Sequence, residues 1–462
     1  METIQEYSTD LVPRLSSHAR IVGRDGRVER YDESSAPNPA VTVFPHNEDD
    51  VAEIVRYCRE RGLKCFAQSG GHGCRIKNHN SIDVVICMRP LNQVSVDESQ
   101  HTVTIGGGTV VGELIDGVAE KGFEVATGLV NSVGAVGSLL LGGLGRYVGK
   151  YGMGIDNLVA INFVDAHGTI YRNVDGVTHP DLWWAMRGAG SAFGIVTQAT
   201  LRIYPHSNNG LSWTCTLIFT NPSKETIERT FRAIDTTEFE GNMCILFFFA
   251  FLPPTGHPSL VVALWFSGSE SEAEKAWERV LDPSLEPDFK KYDLLPTNRL
   301  NDANEAGCIM GMRRPSLGMG IERLDVAAFH EIWDLWLEFG GNEDAEGSAI
   351  FIERFSKKKS LEVSDDATAF SRFHRGIMYE VTCSPAYKDS ALDHKVGEFT
   401  ANVRDILVQK CGDPGKVRTY PAGAGSNEPL ENIFGEKERV QKLLSIKKKW
   451  DPENYWNAFL GL

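Results

Sequence analysis

Several signatures are missing from this chain, and each absence removes a class of function. No C-x-x-C pair occurs among its nine cysteines. Without one there is no paired-ligand zinc site, and an odd number at irregular spacing is no disulfide framework, so a reducing compartment is expected. His72, Cys74 and His79 fall close together, but glycine separates them and no second ligand pair follows, so no metal is expected. The apolar stretch Ile245 to Leu252 is far short of the roughly 20 residues a bilayer requires and reads as a buried strand. Met1 to Asp10 is acidic and polar, unlike a secretory leader, which makes a cytoplasmic location the expectation. Positive charge is scarce too: 47 Lys and Arg against 62 Asp and Glu leave a net charge of -15. A nucleic-acid backbone would be repelled, and Lys357 to Lys359 and Lys447 to Lys449 read as solvated charge. G-x-G-x-x-G, the P-loop and G-x-S-x-G are all absent, which excludes the usual dinucleotide, triphosphatase and serine-hydrolase readings.

Glycine, by contrast, is plentiful at 45 residues, and its placement carries the information. Phe66 to Arg75 reads F-A-Q-S-G-G-H-G-C-R, a bare turn after a strand with His72 at its edge. Such a turn lets consecutive N–H groups approach an anion, although S-G-G-H is also an ordinary turn sequence. Ahead of it, Val41 to Ala67 predicts strand, helix and strand. Asn47 is the N-cap, Val51, Ile54, Val55 and Cys58 form the apolar face, and Gly62 is the stop. Strands at Ile82 to Cys87 and His101 to Ile105 and a helix from Gly112 to Lys121 follow. Residues 128–154 hold nine glycines among apolar residues, a pattern that suits backbone packed on a flat or charged ligand and equally a tight crossing of elements. A hairpin over Leu158 to Asn173, a helix from Asp181 and the turn Arg187 to Gly194 lead into a strand ending at Tyr204. Beyond His206, strands near Ser212 to Phe219, Met243 to Leu252, Val261 to Phe266, Ala349 to Arg354 and Gly376 to Cys383 alternate with helices at Lys224 to Ile234, Glu270 to Val280, Val326 to Leu337 and Ser390 to Lys410. This predicts an antiparallel sheet backed by helices, hence an α+β chain of two domains.

The ordered set S-G-G-H (Ser69 to His72), G-L-V-N-S-V-G-A-V-G (Gly128 to Gly137), G-G-L-G (Gly142 to Gly145), K-Y-G-M-G-I-D-N-L (Lys150 to Leu158), H-P-D-L-W-W-A-M-R-G-A-G (His179 to Gly190), F-G-I-V-T (Phe193 to Thr197) and D-P-E-N-Y-W (Asp451 to Trp456) resembles the berberine-bridge-enzyme-like flavin oxidoreductases of the vanillyl-alcohol-oxidase superfamily. The resemblance implies a PCMH-type FAD-binding domain in two parts, residues 1–205 and 416–462, with a substrate domain at 206–415 between them. It also implies a cofactor-binding set of Ser69, Gly70, Gly71, His72, Gly73, Ser132, Val133, Gly137, Gly142, Gly143, Gly145, Ile195, Val196 and Asn457. His72 matches the histidine joined to the flavin, and neutral imidazole is a competent nucleophile. Val130 stands where many relatives carry a second, cysteinyl tether, so a single link through His72 is expected. Val133 matches the valine associated with dioxygen access, which favours an oxidase.

Some motifs depart from the family. Gln68 replaces a frequent arginine, T-Y-P-A (Thr419 to Ala422) replaces N-Y-P-D, and I-F-G (Ile433 to Gly435) replaces a double-tyrosine motif. Tyr420 matches a tyrosine that is the base in some relatives, and it would need a cation to favour phenolate. His374 and Arg375, leading into the strand of Tyr379, are the candidates. Tyr420, Tyr379, His374 and Arg375 therefore form the expected catalytic set, with core-edge packing as the alternative for the two tyrosines and a surface charge as the alternative for Arg375. Phe247 to Phe249 and Trp265 fit either a pocket or a core. The expected activity is oxidation of a small organic molecule, in secondary metabolism, with FAD as cofactor and O2 as acceptor. No nucleic-acid or membrane partner is expected. The alternative is a non-redox cyclase or pericyclase that keeps the FAD fold as a scaffold.

Overall fold

The computed structural model describes residues 4–462 except 74–75, 342, 346, 414, 426 and 459–461, so Cys74 and Arg75 of the first glycine turn lie outside the described residues. The chain is α+β, with strands in four sheets. Local sequence accounts for the first sheet. Val41–Phe44 is wholly buried, and the Asn47 side chain then accepts the Asp50 N–H at 2.8 Å to cap helix Glu48–Glu60. Gly62, with φ +68°, ends that run where a side chain would be strained. Cys65–Gln68 pairs in parallel with Val84–Cys87, which pairs in parallel with Val41–Phe44. The S-G-G-H turn is thereby delivered to the carboxyl end of a parallel strand, the usual place for a ligand in such sheets.

A five-stranded antiparallel sheet follows, in the order Val94–Asp97, Thr102–Gly106, Ile195–Arg202, Leu158–Val164, Ile170–Val174. Helices Ala135–Leu140 and Pro180–Ala189 pack with it in one hydrophobic core. The chain's last helix, Lys437–Trp450, joins that core through Val440, Leu443 and Ile446, and Tyr455 and Trp456 enter the core of the first sheet.

The largest sheet has seven antiparallel strands: Phe289–Pro296, Leu211–Thr220, His257–Phe266, Met243–Leu252, Ala349–Phe355, Tyr379–Ser384 and Leu317–Ile321. One face lies under helices Lys224–Asp235, Val326–Gly340 and Asp393–Lys410. Phe247 and Phe249 point to that face, whereas Trp265, Cys244 and Phe355 pack with the five-stranded sheet's core. No helix among the described residues is long and apolar enough to cross a membrane.

The expectation of solvated lysines fails at two positions. Lys357, just past the strand Ala349–Phe355, has its ammonium 5.7 Å from the Phe355 ring centroid, and burial pulls its pKa down against the effect of Glu380 and Glu353. Lys447 is buried: its Nζ donates to Ala192 O at 2.5 Å, Asp451 Oδ2 at 2.7 Å and Trp456 O at 2.9 Å. Helical i, i+4 spacing brings Lys447 and Asp451 together, while Lys449 remains exposed beside Asp181.

Candidate active site

A cavity of about 390 Å³ opens where the first glycine turn, the loop before helix Ala135–Leu140 and the C-terminal tail converge. Ser69, Gly70, Gly71, His72, Gly73, Val133, Gly137 and Ile195 of the expected cofactor set line it. The approach of backbones explains the glycines. A Cβ on Gly70 would lie 2.1 Å from Ser132 O and 2.5 Å from Gly134 N, so no other residue fits without moving that loop. Gly137 has open space around it and faces the cavity from the first turn of its helix.

The remaining cofactor candidates are placed differently. Ser132 meets His72 itself, with Oγ 2.9 Å from Nε2. Gly142 has φ +127°, and a Cβ there would lie 2.8 Å from the Tyr420 hydroxyl. Gly143 packs on Gly154, and Gly145 abuts Thr127 O, so these two serve the crossing of elements. Val196 points into the five-stranded sheet's core, and Asn457 follows Trp456, which lines the cavity. In the glycine-rich stretch Gly134 and Gly137 line the cavity, while Gly143, Gly145 and Gly154 serve close packing of elements.

His72 sits at the cavity wall between two partners. Tyr31 stacks on it with ring centroids 4.8 Å apart and planes at 19°, while Ser132 meets its edge. Burial pulls its pKa down to about 4; Glu305 opposes that shift, whereas Arg30 and Arg314 reinforce it. The imidazole is therefore neutral and nucleophilic at physiological pH. Arg30 supplies the positive charge that Gln68 lacks: its Nη1 donates to Gln68 Oε1 at 2.8 Å and its Nη2 to Gly73 O at 2.6 Å, inside the glycine turn.

The residues present fit FAD. They offer a cradle that side chains would fill, main-chain donors on a glycine turn, a guanidinium beside it and a neutral imidazole at the wall.

Beyond Leu141 and Ala422 on that wall, Tyr420 stands against Gly142. Its hydroxyl accepts the Leu144 N–H at 3.3 Å. Burial raises the Tyr420 pKa, these backbone donors lower it, and Glu380 and Glu353 raise it further. The phenol thus holds its proton. Ala422 orients nothing; Glu428 instead fixes the segment, accepting from Thr419 Oγ1 at 3.0 Å, Asn432 Nδ2 at 2.7 Å and both Arg404 nitrogens.

The other three catalytic candidates lie elsewhere. Tyr379 faces the helix layer, donating to Asp235 Oδ1 at 2.6 Å and accepting from Arg354 Nη1 at 3.2 Å. Arg375 grips both oxygens of Asp156 at 2.7 Å, a buried bidentate pair that ties its short helix to the K-Y-G-M-G-I-D-N-L turn. His374 is buried against the Asn432 and Ile433 backbone, and burial pulls its pKa down to about 3, so it is no cation.

Strand alternation puts Glu380, not its neighbour Tyr379, on the face towards Tyr420. In antiparallel register Glu380 stands opposite Glu353 of the adjacent strand. Burial first and Glu380 second push the Glu353 pKa up to about 7, against the pull of Lys357 and Arg146. Burial also raises Glu380, while Lys357 and Arg418 lower it. The Glu380 carboxyl, on the residue paired with Glu353, thus opposes ionisation of Glu353. Sequence reading missed both, as it missed Arg30 and Tyr31. A charge inside the apolar runs A-I-F-I-E-R-F and Y-E-V-T-C-S was the available signal.

A family model for an FAD binding domain matches residues 39–173. The FAD-linked oxidoreductase alt4 of Alternaria solani is 31% identical over 482 residues, an alignment covering 98% of this chain and 96% of that protein. Among solved structures, the wild-type BBE-like 1 protein of Physcomitrella patens superposes with TM-score 0.81 at 19% identity over 100% of both chains. The 6-hydroxy-D-nicotine oxidase of Arthrobacter nicotinovorans superposes with TM-score 0.80 at 21% identity, over 97% of this chain and 98% of its own.

Proposed function

Because the chain belongs to the berberine-bridge-enzyme-like FAD-linked oxidoreductases, we propose that it is an oxidase of a small organic metabolite in secondary metabolism, with FAD held by one covalent bond at His72. The observation that carries this reading is the glycine-lined cavity with the neutral His72 in its wall, beside which Tyr420 stands against Gly142 with the Glu380 and Glu353 carboxyls near enough to raise its pKa. Bound FAD would supply a two-electron acceptor that O2 regenerates with release of H2O2.

The chain's own residues do the rest. Ser69 to Gly73 hold the phosphates through main-chain amides, and Arg30 adds charge there. Tyr420, its oxygen already accepting a backbone N–H, offers its proton to orient the substrate. The Glu353–Glu380 pair takes the substrate's proton, since a carboxyl near pH 7 is matched to general-base work at neutral pH. Arg375, His374 and Tyr379 support the walls without touching the reaction. Val133 at the cavity leaves room for O2, and Val130 offers no second attachment point.

The domain division at 205 and 415 belongs to the same proposal, supported by the tail helix and Tyr455–Trp456 packing in the cores of the first two sheets. A cytoplasmic location is likewise proposed, supported by the odd number and irregular spacing of the cysteines.

The alternative without redox turnover drew on Ala422 and the altered I-F-G motif, and the carboxyl pair supplies the proton acceptor those motifs lack. Anaerobic mixing with candidate amines and alcohols tests the choice. Bleaching of the visible band by a substrate, followed by its recovery and peroxide release on admitting air, is expected of the oxidase. Product formation with no bleaching and no peroxide would establish the scaffold role.

A further inference from the structure

His72 is gripped from two sides, and one segment ties down both grips. Between the strands Phe289–Pro296 and Leu317–Ile321 the chain runs past the loops that carry Ser132 and Tyr31. There Asn304 Nδ2 donates to Leu129 O at 2.8 Å, Asn131 Nδ2 donates to Asp302 at 3.3 Å, and Glu305 accepts the Ser132 N–H at 3.1 Å. Further along, Gly311 N donates to Arg30 O at 2.9 Å and Arg314 N to Asp32 Oδ1 at 2.9 Å. Arg314 Nη1 donates to the Tyr31 hydroxyl at 2.8 Å, with its guanidinium carbon 4.5 Å from that ring's centroid. Residues 301–314 therefore hold the loop carrying Ser132 and the loop carrying Tyr31 at once.

We propose that Ser132 and Tyr31 are positioning residues for attachment of His72 to the cofactor, set in place by the strap of residues 301–314. The proposal rests on the covalent reading given above. Stacking on Tyr31 fixes the plane of the imidazole, and the hydrogen bond to Ser132 fixes its rotation within that plane. With both fixed, the imidazole has one orientation in the cavity wall, which is what a near-attack geometry requires. Attachment exchanges one C–H of the flavin ring methyl and the imidazole N–H for a C–N bond. The two protons and two electrons leave to O2 as H2O2. Glu305 and Arg314 act only through Ser132 and Tyr31.

The test compares full-length wild type, Ser132→Ala, Ser132→Thr, Tyr31→Leu and Tyr31→Phe, each purified with bound flavin. Two quantities are read: flavin per native protein, and the share that stays with the protein after acid precipitation. Ser132→Ala and Tyr31→Leu are expected to remain yellow natively while the acid-stable share falls from nearly all to a minority. Ser132→Thr and Tyr31→Phe, which keep the hydroxyl or the ring, restore it. Full acid-stable attachment in Ser132→Ala and Tyr31→Leu overturns the proposal. Loss of native colour in both also overturns it, since the residues would then serve binding. Wild type that releases all its flavin into acid instead overturns the covalent reading itself, a result distinct from either.

Discussion

Replacing Lys447 by methionine should be among the costliest single changes in the chain, although the residue lies in a run of lysines at the end of a helix. Its side chain is 5% exposed and that of Asp451 is 1% exposed. The ammonium donates to Asp451, Ala192 O and Trp456 O, and Asp451 also accepts the Tyr455 and Trp456 N–H groups at 2.9 Å. Methionine fills the same volume but leaves a buried carboxylate without a counter-charge. Breaking a buried pair in this way costs about 3–5 kcal/mol. The two carbonyls that lose a donor add to this, which puts the expected loss near the upper end of that range. Because Tyr455 and Trp456 line the cavity, flavin retention should weaken with stability. The assay is equilibrium urea unfolding of the full chain, followed by tryptophan fluorescence, alongside flavin retained per protein. The double variant Lys447→Met with Asp451→Asn removes the stranded charge and should recover about 1–2 kcal/mol of the loss. A single variant costing under about 1 kcal/mol, or a double variant no better than the single, refutes the assignment of a buried clamp.

Three further outcomes are expected. His374 stays neutral in the fold down to about pH 3 but protonates near 6.5 when unfolded, so the unfolded chain binds the extra proton and stability falls with pH below about 6.5. Between pH 6.5 and pH 5 wild type should lose about 1.5 kcal/mol more than His374→Gln, and equal losses would place the imidazole in contact with solvent. Glu353 has the opposite sign: the folded state holds its proton up to about pH 7 while the unfolded chain loses it near 4.5, so that contribution to stability is lost as pH rises from 4.5 to about 7. Glu353→Gln should keep bound flavin, cut turnover by about 100-fold or more, and remove the limb of the pH–rate profile near 7; a limb that persists puts the base elsewhere. Gly70→Ala forces a Cβ to 2.1 Å from Ser132 O, which should cost about 1–3 kcal/mol and shrink flavin content. Unchanged flavin content and stability would show that the loop yields freely.

Much of the chain was legible without the fold because short-range chemistry dictates it. The Asn47 cap, the Gly62 stop and the 3.6-residue period between them define a helix locally, and the buried β-branched runs on either side define its strands. The strands Phe289–Pro296 and Leu317–Ile321 were missed for the converse reason. The first is an exposed edge strand with Lys290 and Lys291 and no apolar alternation, and the second is only five residues long, with Gly318 and Gly320, which disfavour a strand, between its apolar positions. The glycine motifs marked the cavity wall because glycine is required wherever two backbones approach as closely as Gly70 and Ser132 do. What sequence could not assign is which charged residue meets which. Arg30 reaches Gln68 across 38 positions, Arg375 reaches Asp156 across 219, and Glu353 faces Glu380 only because two strands pair in one register. Tyr379 and Glu380 are adjacent in the chain and lie on opposite faces of the sheet, one locked to Asp235 beneath the helices, the other turned towards Tyr420. The local sequence set the period of the strand; the face each side chain took was decided by which surface the helices covered, a property of the folded whole.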